Sequence, residues 1–353
     1  MTASPTPPPP PDPPAPPPKE GRAWRVLAVL AWIYMAALAA TVALIVVVGE
    51  AWWIGTVAIY VPRLPLLLPL VVLIPLAFRK SRRTVFAIQA ALAIVVVVAL
   101  AGPHVSFARA SGGPSVRVLS YNVWYGRRGG GEPVAREVEA SGAQIILLQA
   151  MHGSVAKAVR ERLGPEWNYH STTEFFLATR YPIVSVALRG GDADRFIQYT
   201  LDTPLGLVDV FNMHPYSPRT GLFQLRNQSK KKLLSDGPSD EAVESVESNA
   251  LRREDQVSKL VAAATEAKNP IIIAGDTNLP EWSAFYRKHL ARWQDGFAQA
   301  GTGFGYTFPA NRGLPWMRID RVLAGPELKF TSFKVGGRTG SDHCPVMADL
   351  EKR

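Results

Sequence analysis

The chain has 353 residues, 47% of them hydrophobic, and a formal net charge of +10. Its single cysteine, Cys344, excludes an internal disulfide. About half of the net charge lies before His104, so the remainder is only mildly basic, which suits an anionic substrate or surface but does not by itself indicate nucleic acid.

Residues 1–24 read as a Pro-rich disordered tail, with eleven prolines in the first twenty positions. Residues 25–103 read as a membrane anchor. Val26–Val48 is an uninterrupted apolar run, about the length a helix needs to cross a bilayer core and too long for a signal peptide. Leu64–Phe78 is a shorter run carrying Pro65, Pro69 and Pro75, and Trp52–Val61 before it either extends that span or lies in the interface. Val85–Ala101 is the third run. Lys19, Arg22 and Arg25 precede the first span and Arg79–Arg83 separates the second from the third, which puts the amino terminus in the cytoplasm. With about three transmembrane helices, everything after residue 103 lies outside the cytoplasm; if the second run does not cross, that side reverses. The spans hold no charge beyond boundary residues such as Arg63, which argues against a transport unit.

Residues 104–115 read as a linker, and residues 116–353 as the catalytic domain. Strands are expected at Val116–Ser120, Ile145–Leu148, Phe175–Ala178, Val184–Leu188, Ile197–Leu201, Leu207–Met213, Ile271–Ile273, Ile319–Leu323 and Val346–Leu350. Helices are expected at Glu132–Ser141, Gly153–Leu163, Arg252–Ala267 and Trp282–Leu290. Strands, some in hairpins, with helices between them suggest an α+β sandwich of two sheets with helices outside. The polar stretch from Tyr216 to Leu251 is too long for an ordinary loop and reads as a mobile insertion beside the site.

Polar residues gather where strands end. Ile271-Ile272-Ile273-Ala274-Gly275-Asp276-Thr277-Asn278 is a buried strand stopping at a turn that presents Asp276 and Asn278 on one side. Asn122, His214, Asp320 and Asp342-His343 take similar places. Each alone fits turn or cap chemistry. Together they are the parts for metal-assisted hydrolysis of a phosphate ester.

These segments carry a resemblance. Ser120-Tyr121-Asn122-Val123, Leu147-Leu148-Gln149, Met213-His214, Gly275-Asp276-Thr277-Asn278, Arg318-Ile319-Asp320 and Ser341-Asp342-His343-Cys344-Pro345-Val346 resemble, in order, the successive motifs of the endonuclease/exonuclease/phosphatase superfamily. That superfamily includes deoxyribonuclease I, exonuclease III and neutral sphingomyelinases. The front end is similar to that of membrane-bound bacterial members.

The resemblance implies a four-layered α/β/β/α sandwich and a Mg²⁺ or Mn²⁺ cofactor. It implies that His343, held by Asp320, is the base or phosphate-stabilising imidazole, and that Asp276 orients or deprotonates the attacking water. It also implies that Asn122 and Asn278 bind phosphate oxygens or help hold the metal, that Asp342 is a metal-side carboxylate, and that His214 is a general acid. One position departs from the pattern: where the family has its main metal-binding glutamate, this chain has Ala150. Three readings follow: a Glu→Ala replacement of an active enzyme, a binding-only member of the family, or another group such as Gln149 or Glu174 in the glutamate's role. The first is favoured because every other motif residue is intact.

The expected function is a membrane-anchored, divalent-metal-dependent phosphoesterase, a phosphodiesterase or phosphatase acting beside the lipid bilayer. A phospholipid or lipid-linked phosphate suits that placement better than nucleic acid. The alternatives are an extracytoplasmic nuclease and a catalytically inactive protein that binds a phosphate ligand.

Overall fold

The computed structural model describes residues 22–78, 83–188, 195–227, 237–311 and 313–353. Most of the Pro-rich tail, the basic residues Arg79–Arg82 and Lys230–Lys232 lie outside the described residues.

The front end contains α1 (Arg22–Ala43), continued by irregular turns to Ala51, then α2 (Trp53–Tyr60), α3 (Leu70–Ala77) and α4 (Arg83–Ala101). Arg22–Ala51 and Arg83–Ala101 are each long and apolar enough to cross a membrane. The middle run differs from the expected continuous span. Trp53–Tyr60 and Leu64–Pro75 meet at an 85° bend, so a third crossing exists only if this broken pair makes it. The bend falls at Val61-Pro62-Arg63, where proline disfavours helix at the residue before it and removes a backbone donor. Large apolar side chains such as Val29, Trp32, Ile33, Ile88 and Val95 face outward from α1 and α4.

The remainder runs β1 (Ser115–Asn122), α5 (Glu132–Ala140), β2 (Ile145–Gln149), α6 (Gly153–Leu163), β3 (Asn168–Ser171), β4 (Phe175–Thr179), β5 (Ile183–Ala187), β6 (Phe196–Thr203) and β7 (Gly206–Met213). It continues with α7 (Arg219–Asn227), α8 (Asp240–Glu266), β8 (Ile271–Asp276), β9 (Gln294–Asp295), α9 (Gly296–Ala300), β10 (Asp320–Ala324), β11 (Leu328–Val335) and β12 (Val346–Lys352). One sheet has the order β11-β12-β1-β2-β4-β3 and the other β5-β6-β7-β8-β10-β9. Only β1/β2 and β7/β8 pair in parallel; the other neighbours are antiparallel.

The sheets face each other across one apolar core, with Val118, Ile145 and Leu177 on one side and Tyr199, Val210 and Ile272 on the other. The outer face of the first sheet packs on α5 and α6 through Leu119, Ile146, Val134 and Val155. The outer face of the second packs on α8 through Phe211, Ile273, Val257 and Leu260. Strands buried on both faces need apolar residues at every position, hence the unbroken run Ile145-Ile146-Leu147-Leu148. The result is the four-layered α/β/β/α sandwich.

Two expectations need correction. The Tyr216–Leu251 stretch holds all of α7, and α8 begins at Asp240, well before Arg252. Ser239 caps α8, its side chain accepting from the Ala242 amide, and Ala242, Val246 and Ala250 bury one face at four-residue spacing. The helix expected over Trp282–Leu290 starts only at Ala284, and its residues Tyr286–Leu290 are wound as a π-helix. The segment read as a linker lies against the domain: His104 pairs with Gly303, the Ser106 hydroxyl donates to the Gln299 carbonyl, and Ser111 hydrogen-bonds Glu351.

Candidate active site

The two parallel strand pairs end at the same rim of the sandwich. Asn122 closes β1, Ala150 follows β2, His214 follows β7 and Asp276 closes β8. The antiparallel strands β10 and β12 start at that rim, so Asp320 lies opposite Asp276 in register and Asp342-His343 lies in the loop entering β12. Residues from across the sequence meet because parallel strand ends and antiparallel strand starts share one edge. Gly275 is required there: a Cβ on it would come within 1.9 Å of the Met213 carbonyl oxygen.

Asp276 is the centre. It is 1% exposed. Its Oδ1 accepts from the Asn278 amide at 2.8 Å and its Oδ2 from Asn122 Nδ2 at 2.9 Å. The Nε2 atoms of His214 and His343 lie 3.5 and 3.7 Å from the same Oδ2. Each imidazole is backed by its own carboxylate. His343 Nδ1 meets Asp320 Oδ2 at 2.9 Å, and His214 Nδ1 makes a short contact with Glu174 Oε1. The order is carboxylate, imidazole, Asp276, imidazole, carboxylate.

The charges follow from this order. Burial alone would discharge His343, but Asp320 and Asp276 outweigh it and raise its pKa to about 9. Burial likewise opposes the charge on His214, and hydrogen bonds to Asp276 and Glu174 raise its pKa nonetheless. Burial would raise Asp276, yet the two imidazoles bring it down to about 2. Asp320 is raised, because burial outweighs the pull of His343. At neutral pH His343 is an imidazolium and Asp276 is a carboxylate.

The remaining expected residues gather at the same rim. Asn122 Oδ1 accepts from the Trp124 amide at 3.0 Å. Asn278 takes the left-handed backbone that asparagine tolerates, and its Nδ2 donates to the Pro215 carbonyl, so its amide braces the loop after His214. Asp342 is buried; its Oδ2 pairs with Arg219 at 2.7 Å, and its Oδ1 has no hydrogen-bond partner among the described residues. Ala150 is buried with a positive φ of 51° and presents only its backbone amide, which donates to Glu174 Oε1 at 3.2 Å. Gln149 Nε2 donates to Ser120, Asn212 and the Leu147 carbonyl, and its buried Oε1 has no hydrogen-bond partner among the described residues.

Two site residues were not legible in the motifs. Glu174 stands ahead of β4, outside any motif segment. Here it braces His214 while Arg195 pairs with its other oxygen at 3.2 Å. Arg219 lay in the stretch read as a loop, where nothing marks its target.

The sequence profile of the endonuclease/exonuclease/phosphatase family matches residues 119–343. The chain belongs to that family. Its members are phosphoesterases, and the fold is that of a hydrolase. No curated protein sequence matches the chain. Among solved structures, it is similar to an endonuclease/exonuclease/phosphatase from Beutenbergia cavernae DSM 12333, at 16% identity and a TM-score of 0.49, covering 68% of this chain and 72% of that one. One from Bacteroides vulgatus matches at 17% identity and a TM-score of 0.49, with 68% and 99% coverage. A mannosyl-6-phosphatase from Bacteroides thetaiotaomicron VPI-5482 matches at 18% identity and a TM-score of 0.48, with 67% and 99% coverage. An Asp/Asp/His cluster accompanies the family's motifs: one side-chain nitrogen or oxygen each of Asp276, Asp320 and His343 lies within 4.8 Å of the others.

Proposed function

We propose that this family member is a membrane-anchored phosphoesterase that hydrolyses a lipid head group or lipid-linked phosphate. The observation that carries the lipid substrate is a buried hydrogen bond. The Tyr60 hydroxyl, at the end of apolar helix α2, donates to the Asn278 carbonyl at 2.6 Å. Asn278 is two residues from Asp276, so the apolar front end touches the site loop itself. Around this bond, Ile45, Ile59 and Leu100 share one core with Met317 and Ile319. A site set directly on its anchor works on what the bilayer presents.

The same junction supports three crossings and a domain on the side opposite the amino terminus. The end of the first long helix reaches the domain, where Arg287 donates to the Val46 carbonyl and the Ala284 amide to Glu50. The end of α4 reaches it too, where Trp282 donates to the Leu100 carbonyl and Tyr306 to the Ala101 carbonyl. Two helices that both run toward the domain require the segment between them to run back. With basic residues flanking the far ends, the amino terminus is cytoplasmic and the site extracytoplasmic.

In the mechanism, Asp276 is ionised and takes the proton of the attacking water. His343, held by Asp320, offers an imidazolium to the negative charge growing on the phosphoryl oxygens. His214, its ring held by Glu174, gives a proton from its imidazolium form to the leaving oxygen. The residues that would hold a divalent cation, Mg²⁺ or Mn²⁺, are Asp342, whose buried Oδ1 has no hydrogen-bond partner among the described residues and faces His343 Nε2 at 3.9 Å, and Asn122 through its amide oxygen, while Ala150 adds none. When bound, such an ion polarises the phosphoryl group and offsets its charge.

Ala150 favours a second reading, a protein that binds a phosphate ligand without turning it over. The test uses the full chain in nanodiscs with Mg²⁺ or Mn²⁺, alongside Ala150→Glu. Head-group release from phospholipid vesicles is expected. Cleavage of plasmid DNA alone overturns the lipid substrate, and inertness of both proteins on every phosphate ester leaves the binding reading in its place.

A further inference from the structure

The phosphoesterase reading gives no role to Arg219, a cation at the site. Arg219 begins α7, and its side chain is half exposed, yet its Nη2 reaches Asp342, which is itself buried. The guanidinium also lies 5.6 Å from the Phe308 ring centroid, and that ring is 4.7 Å from the His343 imidazole. Arg219 is therefore one aromatic ring away from the imidazolium assigned to the phosphoryl oxygens.

Its position is built rather than incidental. Gly221 brings α7 so close to α8 that a Cβ there would sit 2.8 Å from Val246 Cα. Leu222 packs into the core shared by the apolar helices and the domain. Asn249 Nδ2 donates to the Ser217 carbonyl at 3.0 Å, and the fully buried Arg253 donates to the Tyr216 carbonyl at 3.2 Å. The loop from His214 to α7 is thus anchored on both sides of Arg219.

The charges already at the rim are paired with one another: His343 lies between Asp320 and Asp276, and Arg195 holds Glu174. A phosphate entering the rim adds negative charge that these pairs do not meet. Arg195 is committed behind His214, donating to the His214 carbonyl and to Glu174. Arg219 makes one side-chain hydrogen bond among the described residues, which leaves most of a five-donor fork for planar oxygens.

We propose that Arg219 is the receptor for the substrate's phosphate. In the resting protein it neutralises Asp342. When a phosphate group enters, it turns its fork to the non-bridging oxygens and frees the Asp342 carboxylate for a cation. The proposal rests on the phosphoesterase reading, and it assigns recognition of the phosphate to a residue outside every recognised motif.

The test measures binding rather than turnover. Inorganic phosphate and, separately, Mn²⁺ are titrated into the full chain in detergent, comparing the unaltered protein with Arg219→Gln and Arg219→Lys. Arg219→Gln is expected to weaken phosphate binding at least tenfold while Mn²⁺ binding holds or tightens, because Asp342 has lost its competing partner. Arg219→Lys is expected to fall between, keeping the charge but not the fork. Unchanged phosphate binding in Arg219→Gln overturns the assignment and leaves the phosphoesterase reading standing. Joint loss of phosphate and Mn²⁺ binding with a lowered melting temperature also overturns it, since Arg219 would then be a structural counter-ion. If the unaltered chain binds no phosphate, the Arg219 assignment falls, and the phosphoesterase reading is decided separately by head-group release from vesicles.

Discussion

Tyr60 and Asn278 are 218 residues apart in sequence and joined by a buried 2.6 Å hydrogen bond between an apolar helix and the loop carrying Asp276. A net hydrogen bond of this kind is worth about 1 kcal/mol. Tyr60→Phe removes the donor and keeps the ring. The expected result is a fall of roughly two- to tenfold in kcat with the fold retained, measured on vesicles and on a water-soluble phosphate ester. An unchanged kcat on both substrates means that the contact does not position the loop.

Ala150 leaves the rim short of a carboxylate. Its backbone is already left-handed, so a longer side chain there adds no new backbone strain. Ala150→Glu should tighten Mn²⁺ binding by roughly tenfold or more, as read by electron paramagnetic resonance. Glu174 is the nearby carboxylate at present, and Glu174→Gln in the Ala150→Glu background should leave that gain in place. Loss of the gain would assign the metal to Glu174.

His343 should titrate near pH 9, far above an ordinary histidine, because Asp320 and Asp276 hold its charge. Its folded pKa lies above its unfolded one. The stability it contributes is therefore fully present below about pH 6.5 and lost as pH rises through about 9. Asp320→Asn should bring the titration down and flatten that loss. Imidazole proton shifts followed by NMR between neutral pH and pH 10 check both; an ordinary value in the unaltered protein contradicts the charge assignment.

Asp295 lies away from the site and holds two arginines at once, Arg318 and Arg321, each at 2.6 Å. Burial opposes its charge, but the two guanidiniums hold its carboxyl well below the usual range. Its folded pKa is depressed, so its contribution is present above the unfolded value of about 4 and is lost as pH falls through the folded value. Asp295→Asn leaves two buried cations without an acid and should cost about 3–5 kcal/mol. The measurement is unfolding followed from neutral to strongly acidic pH: the gap between variant and parent should hold down to about pH 4 and narrow only below it.

Much of the site could be read directly from the chain because strand ends are local. Ile271–Asp276 shows its burial in its own residues, and Asp342-His343 sits one short turn before a strand. Glu174 could not be found that way: it reaches His214 from another sheet, and nothing in Thr172-Thr173-Glu174 announces the partner. Strand β11 was missed because a bulge between Phe330 and Ser332 breaks its alternation. Helix α8 was legible in principle, through Ser239-Asp240-Glu241 and the small apolar residues that follow, but its exposed charges hid the first three turns. Tyr60 is one more apolar position in an apolar stretch until its hydroxyl is seen to have a destination.

The joint between helices and domain also sets an order of assembly. The carbonyls of Tyr60, Leu100 and Ala101 receive donors from Trp316, Trp282 and Tyr306. Those donors leave the ribosome long after the helices that need them. During synthesis the helix ends must wait until those residues arrive to cover them. The apolar helices are thus a template on which the domain completes itself, and a domain made without them would emerge with an uncovered apolar face at Met317, Ile319 and Trp316.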